Sequence, residues 1–302
     1  CMSAITSTIT AVSVFFVIFF LRAAEGEEIT LGAFNLRILG PTKINNQPII
    51  DQLLDILVRY DLCLLQEIKD ISQEAPNSLF QQLNARVDED NKYLMLLGPR
   101  VGSSSQSTEQ YAYVYKERIF TALNSFSYND VNDDFNREPY IAHFELASGT
   151  TFAMVGLHTP PSSAFEELTQ LPPVQVSVSQ LLAEPNVIMF GDFNADQPTL
   201  TLAELGQLQI FNDPDNYVSL LSRDVDTTTA ESASDPTAFD RIVVTKSFEQ
   251  FVIPGSAAAF NFAAAFGLTA SEAFDISDHY PVEFRMDNPN GEQWDDVYTE
   301  DL

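Results

Sequence analysis

The stretch Val187-Ile188-Met189-Phe190-Gly191-Asp192-Phe193-Asn194-Ala195-Asp196 joins a short apolar run to a group of carboxylate and amide side chains. The apolar run predicts a buried β-strand over residues 187–192, and the polar residues follow where this strand ends. Because Asp192 and Asn194 are two residues apart, their side chains can share one face of a cleft. By itself, a Gly-Asp-Phe-Asn sequence is more often a capped turn than a functional site.

Five other polar patches have the same design. Each places a carboxylate, a carboxamide or an imidazole where a predicted strand begins or ends, and together they use two of the three histidines. The five patches are residues 34–37, 65–67, 156–160, 239–244 and 276–281. Their joint occurrence, rather than any single patch, predicts a functional site.

Apolar runs alternate with turn signals along most of the chain, without an internal repeat or a long Gly/Ser linker. The predicted strands are residues 29–35, 62–67, 93–97, 111–115, 119–123, 140–146, 151–158, 187–192, 241–244, 251–253 and 281–286. The predicted helices are residues 49–60, 77–85, 163–171, 174–184 and 201–205. Since most of the strands do not follow a simple βαβ order, we expect an α+β fold in which a two-sheet sandwich carries outer helices.

The N-terminal segment predicts secretion. Residues 11–21 form an apolar run of 11 residues, whereas a membrane span needs ~20. The run is typical of a secretory signal that is cleaved near Glu27, and an uncleaved anchor is the alternative. We therefore expect a signal peptide at residues 1–26, a catalytic domain at 27–286 and an acidic tail at 287–302. After cleavage, the protein would be extracellular, without a stable membrane association.

The net charge of −28 normally repels a polyanion. Either the partner is not a nucleic acid, or a small cationic and metal-bearing cleft acts locally against an acidic background. Residues 213–236 carry six acidic residues and one basic residue, so this loop is either mobile or held by a cation. Cys63, in an apolar predicted strand, is interpreted as a buried and inert thiol.

The residue types of the patches suit the hydrolysis of a phosphodiester. That reaction needs a deprotonated water, neutralised phosphate oxygens and a protonated or metal-bound leaving group. Glu67 is a suitable first ligand for a hard divalent cation, and His158 and His279 are suited to proton transfer. A carboxylate must orient each base, and Asp240, Glu109 and Asp278 are the candidates. His143 is predicted to be a strand histidine without a catalytic role.

The order and composition of these patches resemble the deoxyribonuclease I family, within the endonuclease/exonuclease/phosphatase superfamily. The resemblance covers residues 29–286, and the segments 136–139, 252–258 and 276–283 are similar to secreted members. It implies a four-layer α/β sandwich whose two central, mostly antiparallel sheets are flanked by helices. It also implies an endonuclease that cleaves double-stranded DNA to 5′-phosphate ends with Mg²⁺ and Ca²⁺, for which Mn²⁺ could substitute.

The resemblance also implies roles for individual residues. His158 and His279 would form the acid–base pair, with Asp240 orienting His158 and Glu109 orienting His279. Glu67 would be the principal metal ligand. The other residues implied to bind metal or the scissile phosphate are Asn35, Asp192, Asn194 and Asp278. A calcium loop would include Asp226 and Thr228, and Arg37, Lys69 and Arg137 would contact DNA.

Three departures from the family pattern affect these expectations. Lys69 replaces an arginine, which keeps the charge but loses the bidentate fork. Ser107 replaces a tyrosine that contacts the minor groove, which predicts weaker duplex binding. Gln197 and Thr237 replace the cysteines of a structural disulfide, whose loss generally costs ~2–5 kcal/mol and which calcium at the acidic loop could offset. The family's actin-binding positions match poorly at Met95, Leu97 and Pro99, so we do not expect actin binding. We also expect the protein to be a monomer.

Two other functions remain open at this point. A lipid phosphodiesterase such as a sphingomyelinase would share Glu67, Asp192, Asn194, Asp278 and His279, but not the segments 137–139 and 254–257. A catalytically silent binding protein would explain the net charge of −28, but every catalytic position carries the residue that the family requires.

Overall fold

The computed structural model describes residues 28–104, 108–230 and 236–288. The predicted signal peptide, Ser107 and all but the first two residues of the predicted tail lie outside the described residues. In the part that is described, no helix is both long enough and apolar enough to span a membrane.

Twelve strands form the centre of the described chain. They are β1 (Glu28–Leu39), β2 (Leu62–Ile68), β3 (Tyr93–Leu97), β4 (Gln110–Lys116), β5 (Phe120–Ser127), β6 (Tyr140–Leu146), β7 (Thr151–His158), β8 (Val187–Asp192), β9 (Tyr217–Ser219), β10 (Asp240–Thr245), β11 (Ala258–Ala259) and β12 (Val282–Asp287).

Nine α-helices lie around these strands in the same residues. They are α1 (Pro41–Ile44), α2 (Gln47–Leu57), α3 (Glu74–Ala85), α4 (Ala164–Thr169), α5 (Leu171–Leu182), α6 (Leu202–Leu205), α7 (Gln209–Asn212), α8 (Phe262–Phe266) and α9 (Ala270–Ile276). Two 3₁₀ turns occupy Glu89–Asn91 and Glu249–Phe251.

The strands form two six-stranded sheets with the orders β11-β12-β1-β2-β4-β3 and β5-β6-β7-β8-β10-β9. Each sheet is antiparallel except for one central pair, β1 with β2 in the first and β7 with β8 in the second. The expected sandwich of two mostly antiparallel sheets with outer helices is therefore confirmed.

Three apolar layers separate the sheets and the helices. The middle layer, between the sheets, is rich in aromatic rings, and Tyr113 and Phe144 meet there edge to face at 5.9 Å. One outer layer packs α2, α3, α8 and α9 against the first sheet, and the other packs α4 to α7 against the second. The sheets approach closely at Gly156, where an added Cβ would lie 2.8 Å from atoms of Leu64 and Tyr113.

The strand bounds at residues 93–97, 140–146, 151–158 and 187–192 are as predicted, and Cys63 is a buried free thiol. The predicted strand 251–253 is wrong, because Glu249–Phe251 is a 3₁₀ turn and Val252 makes only an isolated bridge to Met286. The pattern also missed β9, β11 and the helices α1, α7, α8 and α9. These elements have two to seven residues, which is too short for a clear periodicity.

Candidate active site

The strand order explains why six distant patches meet. β1 and β2 are parallel, as are β7 and β8, so the carboxyl ends that carry Asn35, Glu67, His158 and Asp192 lie at the same end of the sandwich. β10 is antiparallel to β8 and places its first residue, Asp240, directly opposite Asp192. β4 and β12 also enter the sheet from this end, so the residues that precede them are brought to the same place.

Each of the two predicted acid–base histidines is bonded to a buried carboxylate. His158 Nδ1 lies 2.7 Å from Glu109 Oε1, and His279 Nδ1 lies 2.8 Å from Asp240 Oδ2. The predicted pairing of His158 with Asp240 and of His279 with Glu109 is therefore wrong. The physical reason is that Glu109, just before β4, enters the site beside β2, whereas Asp240 lies on the other side of β8 from β7.

The two imidazoles face one carboxylate oxygen. Nε2 of His158 lies 3.4 Å from Asp192 Oδ2, and Nε2 of His279 lies 3.5 Å from the same atom. The other oxygen of Asp192 accepts hydrogen bonds from the backbone and side-chain nitrogens of Asn194, both at 3.0 Å. Asn194 thus fixes the orientation of Asp192, so that Oδ2 points at both imidazoles.

Glu67 lies beside Asp192 and is joined to it through Asn35. The amide nitrogen of Asn35 donates to Glu67 Oε1 at 3.2 Å and to Asp192 Oδ2 at 3.1 Å. In this orientation Asn35 offers a donor to the two carboxylates, while its oxygen accepts from the backbone nitrogen of Arg37. Glu67 and Asp192 therefore present carboxylate oxygens to a common space, as a hard cation requires.

A positive backbone φ marks several of these positions. Glu67 has a φ of 58° and Asn194 a φ of 47°, a region that non-glycine residues rarely adopt. Gly191 has a φ of 135°, and an added Cβ there would lie 2.3 Å from the carbonyl oxygen of Leu157. Only glycine fits at that position, directly before Asp192.

The three basic side chains that were predicted to contact DNA differ in their distance from the site carboxylates and in their exposure. Lys69 Nζ lies 3.5 Å from Glu67 Oε2 and 3.8 Å from Glu109 Oε2. Arg137 is only 5 % exposed, donates through Nε to the carbonyl oxygen of His158, and lies 3.6 Å from Glu109 Oε1. Arg137 thus holds the His158–Glu109 pair, while Arg37 lies nearer the surface against Phe274.

Asp226 and Thr228 lie at the edge of the site, in a segment that we call the strap (residues 226–229). The carboxylate of Asp226 accepts from the backbone nitrogen and the hydroxyl of Thr228, both at 3.0 Å. The strap also contacts two site loops, because the hydroxyl of Thr227 accepts from the backbone nitrogen of Asp240, and Thr228 forms a β-bridge with His279. The strap therefore lies directly against the backbone of both His279 and Asp240.

The surrounding charges determine the protonation of the site. Burial disfavours the charged imidazolium, but the negative charges of Asp240 and Asp192 outweigh it and raise the pKa of His279 to about 10. The pKa of His158 is raised too, because Glu109 and Asp192 outweigh the effect of burial. Burial would raise the pKa of Glu67, but the neighbouring His158 and Lys69 charges hold it below its ordinary value.

Two arrangements of the site could hold a metal ion. One ligand atom each of Asp192, Asp240 and His279 lie within 4.8 Å of one another, but His279 Nδ1 is already bonded to Asp240. Glu67 and Asp192 form the second arrangement, since each offers a carboxylate oxygen beside the amide group of Asn35. Asp278 Oδ1 is buried and has no hydrogen-bond partner among the described residues. Carboxylate oxygens of this kind are the ligands that hard divalent cations prefer.

Two supporting residues received no role from the sequence. Gln66 is fully buried and joins the two sheets, because its Nε2 donates to the carbonyl oxygen of Leu157 and its Oε1 accepts from the backbone nitrogen of Asp192. The hydroxyl of Ser277 donates to the carbonyl oxygen of Asn35 and accepts from the backbone nitrogen of His279. Their only sequence signal is that each directly precedes a site residue.

Comparisons with known proteins agree with this geometry. The model of the Endonuclease/Exonuclease/phosphatase family matches residues 33–279. The chain is 38 % identical to deoxyribonuclease-1-like 1 of Cricetulus griseus over 87 % of this chain and 86 % of the relative. It is 35 % identical to deoxyribonuclease-1 of Bos taurus, over 86 % of this chain and 93 % of the relative.

The chain belongs to the deoxyribonuclease I family. It is therefore an enzyme of the nuclease and phosphodiesterase class. A third relative, deoxyribonuclease gamma of Rattus norvegicus, is 33 % identical over 88 % of this chain and 87 % of the relative. Among solved structures, the human Nocturnin catalytic domain superposes with a TM-score of 0.60 at 19 % identity, over 86 % of this chain and 94 % of that one. A humanized D. rerio TDP2 superposes with a TM-score of 0.57 at 18 % sequence identity, over 86 % of this chain and 99 % of that chain. These structures share the sandwich fold.

Proposed function

We propose that this member of the deoxyribonuclease I family is a secreted endonuclease that hydrolyses double-stranded DNA with Mg²⁺ and Ca²⁺, leaving 5′-phosphate ends. The observation that carries the proposal is the convergence of two carboxylate-bound imidazoles on Asp192 Oδ2, at 3.4 and 3.5 Å. The names of the relatives indicate the substrate, since the three cited above are deoxyribonucleases.

The proposed mechanism uses the two imidazoles for opposite proton transfers. His279, whose pKa is raised to about 10, carries its proton at neutral pH and is suited to donate it to the leaving 3′ oxygen. His158 accepts the proton of the attacking water, and its bond to Glu109 stabilises the imidazolium that forms. The bond from Nδ1 to a carboxylate keeps each Nε2 directed at the substrate.

The remaining residues bind and orient the phosphate. A divalent cation held by Glu67, with Asp192 and Asp278 nearby, would neutralise the negative charge on the non-bridging oxygens. The ammonium group of Lys69 lies beside Glu67 and offers donors to the same oxygens. Both N–H groups of the Asn35 amide bond Glu67 and Asp192, so Asn35 orients these two carboxylates. Arg37 provides a guanidinium group for a neighbouring phosphate of the strand. At Asp226 and Thr228 we propose a calcium ion that rigidifies the strap.

A plasmid-nicking assay tests this proposal. Wild-type protein with Mg²⁺ and Ca²⁺ should convert supercoiled DNA to the nicked form, and a chelator should abolish the conversion. His158→Ala and His279→Ala should each lower the initial rate by ~10²-fold or more. His143→Ala is the matched control, because His143 lies in β6 and contacts Glu184 outside the site.

Three results would contradict parts of the proposal. Nicking that persists at the full rate in His158→Ala would remove the acid–base pair. Cleavage of sphingomyelin but not of DNA would reassign the substrate to a lipid head group. If protein exported by a eukaryotic host does not begin near Glu27, the predicted signal peptide would be wrong.

A further inference from the structure

The end of β1 holds Arg37 in an unusual backbone conformation. Arg37 and Ile38 have φ values of 45° and 62°, and the pairing between β1 and β2 shifts register here. The backbone nitrogen of Arg37 donates to Asn35 Oδ1 at 2.9 Å, and that of Ile38 donates to Glu67 Oε2 at 3.0 Å. The direction in which the Arg37 side chain leaves the backbone is thus fixed by Asn35 and Glu67.

Phe274 holds the other end of this side chain. The guanidinium carbon of Arg37 lies 3.6 Å from the centroid of the Phe274 ring. Nη1 of Arg37 also donates to the carbonyl oxygen of Phe274, which is one of the last carbonyls of α9 and would otherwise lack a helical partner. Within the described residues, no carboxylate forms an ion pair with Arg37.

Lys43 strengthens the same attachment. Its ammonium group donates to the carbonyl oxygens of Leu36, Arg37 and Ile276 at 2.6, 2.8 and 2.8 Å, which uses all three of its donors. The turn that carries Arg37 is thereby bound to the end of α9, from which Phe274 projects with 41 % of its surface exposed. Phe274 therefore occupies a fixed place beside the substrate-binding end of the sandwich.

We propose that Phe274 is a positioning residue, which orients the Arg37 guanidinium toward a phosphate of the substrate. This inference rests on the proposed function. One face of the guanidinium is covered by the ring, and one donor is used by the helix carbonyl. The other guanidinium donors make no hydrogen bond within the described residues, so they are available to a phosphate. An arginine that is already ordered loses less side-chain entropy when the phosphate binds. Phe274 should therefore improve substrate binding without taking part in the chemical step.

The test is the kinetics of plasmid nicking by Phe274→Leu. This variant keeps the bulk and the carbonyl but removes the aromatic face, so KM should rise by ~3–10-fold while kcat stays unchanged. The separate variant Phe274→Tyr keeps the aromatic face, so its KM should equal that of the wild type. The matched control is Phe266→Leu, since Phe266 is similarly exposed on α8 and packs against Phe260 rather than against an arginine.

A double-mutant cycle separates positioning from a general structural effect. If Phe274 acts through Arg37, Phe274→Leu should have no further effect on KM in an Arg37→Gln background. An equal increase in both backgrounds, or an unchanged KM in Phe274→Leu while wild type nicks DNA, would overturn the inference and leave the nuclease function intact. Wild-type protein that does not cleave DNA would overturn both.

Discussion

At the residue scale, the two imidazoles of the site are held alike from opposite sides of Asp192. The sequence was sufficient to choose these residues, because each lies in a patch at a predicted strand boundary. It could not pair them correctly. The partner of each histidine depends on which strands are neighbours in the sheets, and the resemblance alone suggested the opposite pairing to the one observed.

The observed pairing predicts which mutation changes which imidazole. In chelator, Glu109→Gln should lower the pKa of His158 by more than that of His279, because a neighbouring carboxylate raises the pKa of an imidazole. Asp240→Asn should have the opposite selectivity. Titration of the imidazole C–H resonances by NMR measures both values. Equal effects of both mutations on the two histidines would contradict the assignment.

Stability should depend on pH through His279. The folded-state pKa is raised to about 10, above the value of ~6.5 expected in the unfolded chain. The stabilisation is therefore fully present below pH ~6.5 and is lost as pH rises through about 10. In chelator, the Tm should fall by roughly several degrees across this range. His279→Gln should give a flatter profile, and a parallel decline in both proteins would place the cause elsewhere.

At the element scale, the strap connects a loop of the second sheet to the loop before β12. Thr227 is fully buried, and its hydroxyl accepts hydrogen bonds from the backbone nitrogens of Phe239 and Asp240 at 3.0 and 3.2 Å. Its backbone oxygen also accepts from Tyr280. The position of Asp240 relative to His279 therefore depends on this short segment.

Replacing Thr227 by valine tests the strap. Valine has nearly the same shape as threonine, but it leaves two buried backbone nitrogens without an acceptor. The free energy of unfolding should therefore fall by about 2–4 kcal/mol. Urea denaturation measures this difference. Thr169→Val, at the exposed end of α4, is the control and should change stability by less than ~0.5 kcal/mol. Equal stability of the two variants would show that the Thr227 hydroxyl contributes nothing to stability.

A second element-scale contact lies where the family has a disulfide. Asp196, beside Gln197, accepts from the backbone nitrogen of Ala238 at 3.0 Å and from Arg223 Nη2 at 2.9 Å. Ala238 follows Thr237, so one carboxylate joins the two segments that the missing cross-link would have joined. Burial opposes its ionisation, but these donors outweigh burial and lower its pKa.

Removal of Asp196 should therefore be costly. Asp196→Ala should lower the free energy of unfolding by about 2–4 kcal/mol at neutral pH, because it leaves a backbone nitrogen and an arginine without their acceptor. The pKa of Asp196 is lower in the folded state than in the unfolded state. Its contribution to the free energy of unfolding is therefore present above pH ~4 and is lost as pH falls further. Urea denaturation at pH 7 and below pH 3 should show this difference shrinking, and a constant difference would exclude the carboxylate.

At the scale of the whole molecule, a net charge of −28 opposes the approach of DNA. The attraction must come from the few cations at the site, of which Arg137 is buried. The logarithm of substrate affinity should therefore fall with the logarithm of salt concentration with a slope of about −2 to −3, one unit for each phosphate contact. Duplex binding by His158→Ala between 50 and 200 mM salt measures the slope. A value near −6 would mean that other cations contact the substrate.

How much of the molecule was predictable depended on element length and on separation in sequence. β7 and β8 carry continuous apolar runs, so their bounds followed from the sequence. The helices α8 and α9 were missed because each completes two turns at most. Most site residues were predictable as a set because they lie at or beside a predicted strand boundary, whereas Asp226 and Thr228 lie in the strap, away from any strand. The contacts of Gln66 and Phe274 were not, because they join segments 91 to 237 residues apart. The Thr227 hydroxyl bonds, which span 12 and 13 residues, close an irregular loop without a periodic pattern.

Because both parallel pairs run in one direction, the site residues of the described chain lie at one end of the sandwich. The turn between β6 and β7 lies at the opposite end, roughly 25 Å from His158 along an eight-residue strand. Gly149 in this turn has open space around it, and Cys63 is buried beyond the reach of reagents. Ser148→Cys would thus provide a thiol through which the enzyme can be attached to a bead with its active site facing the solvent.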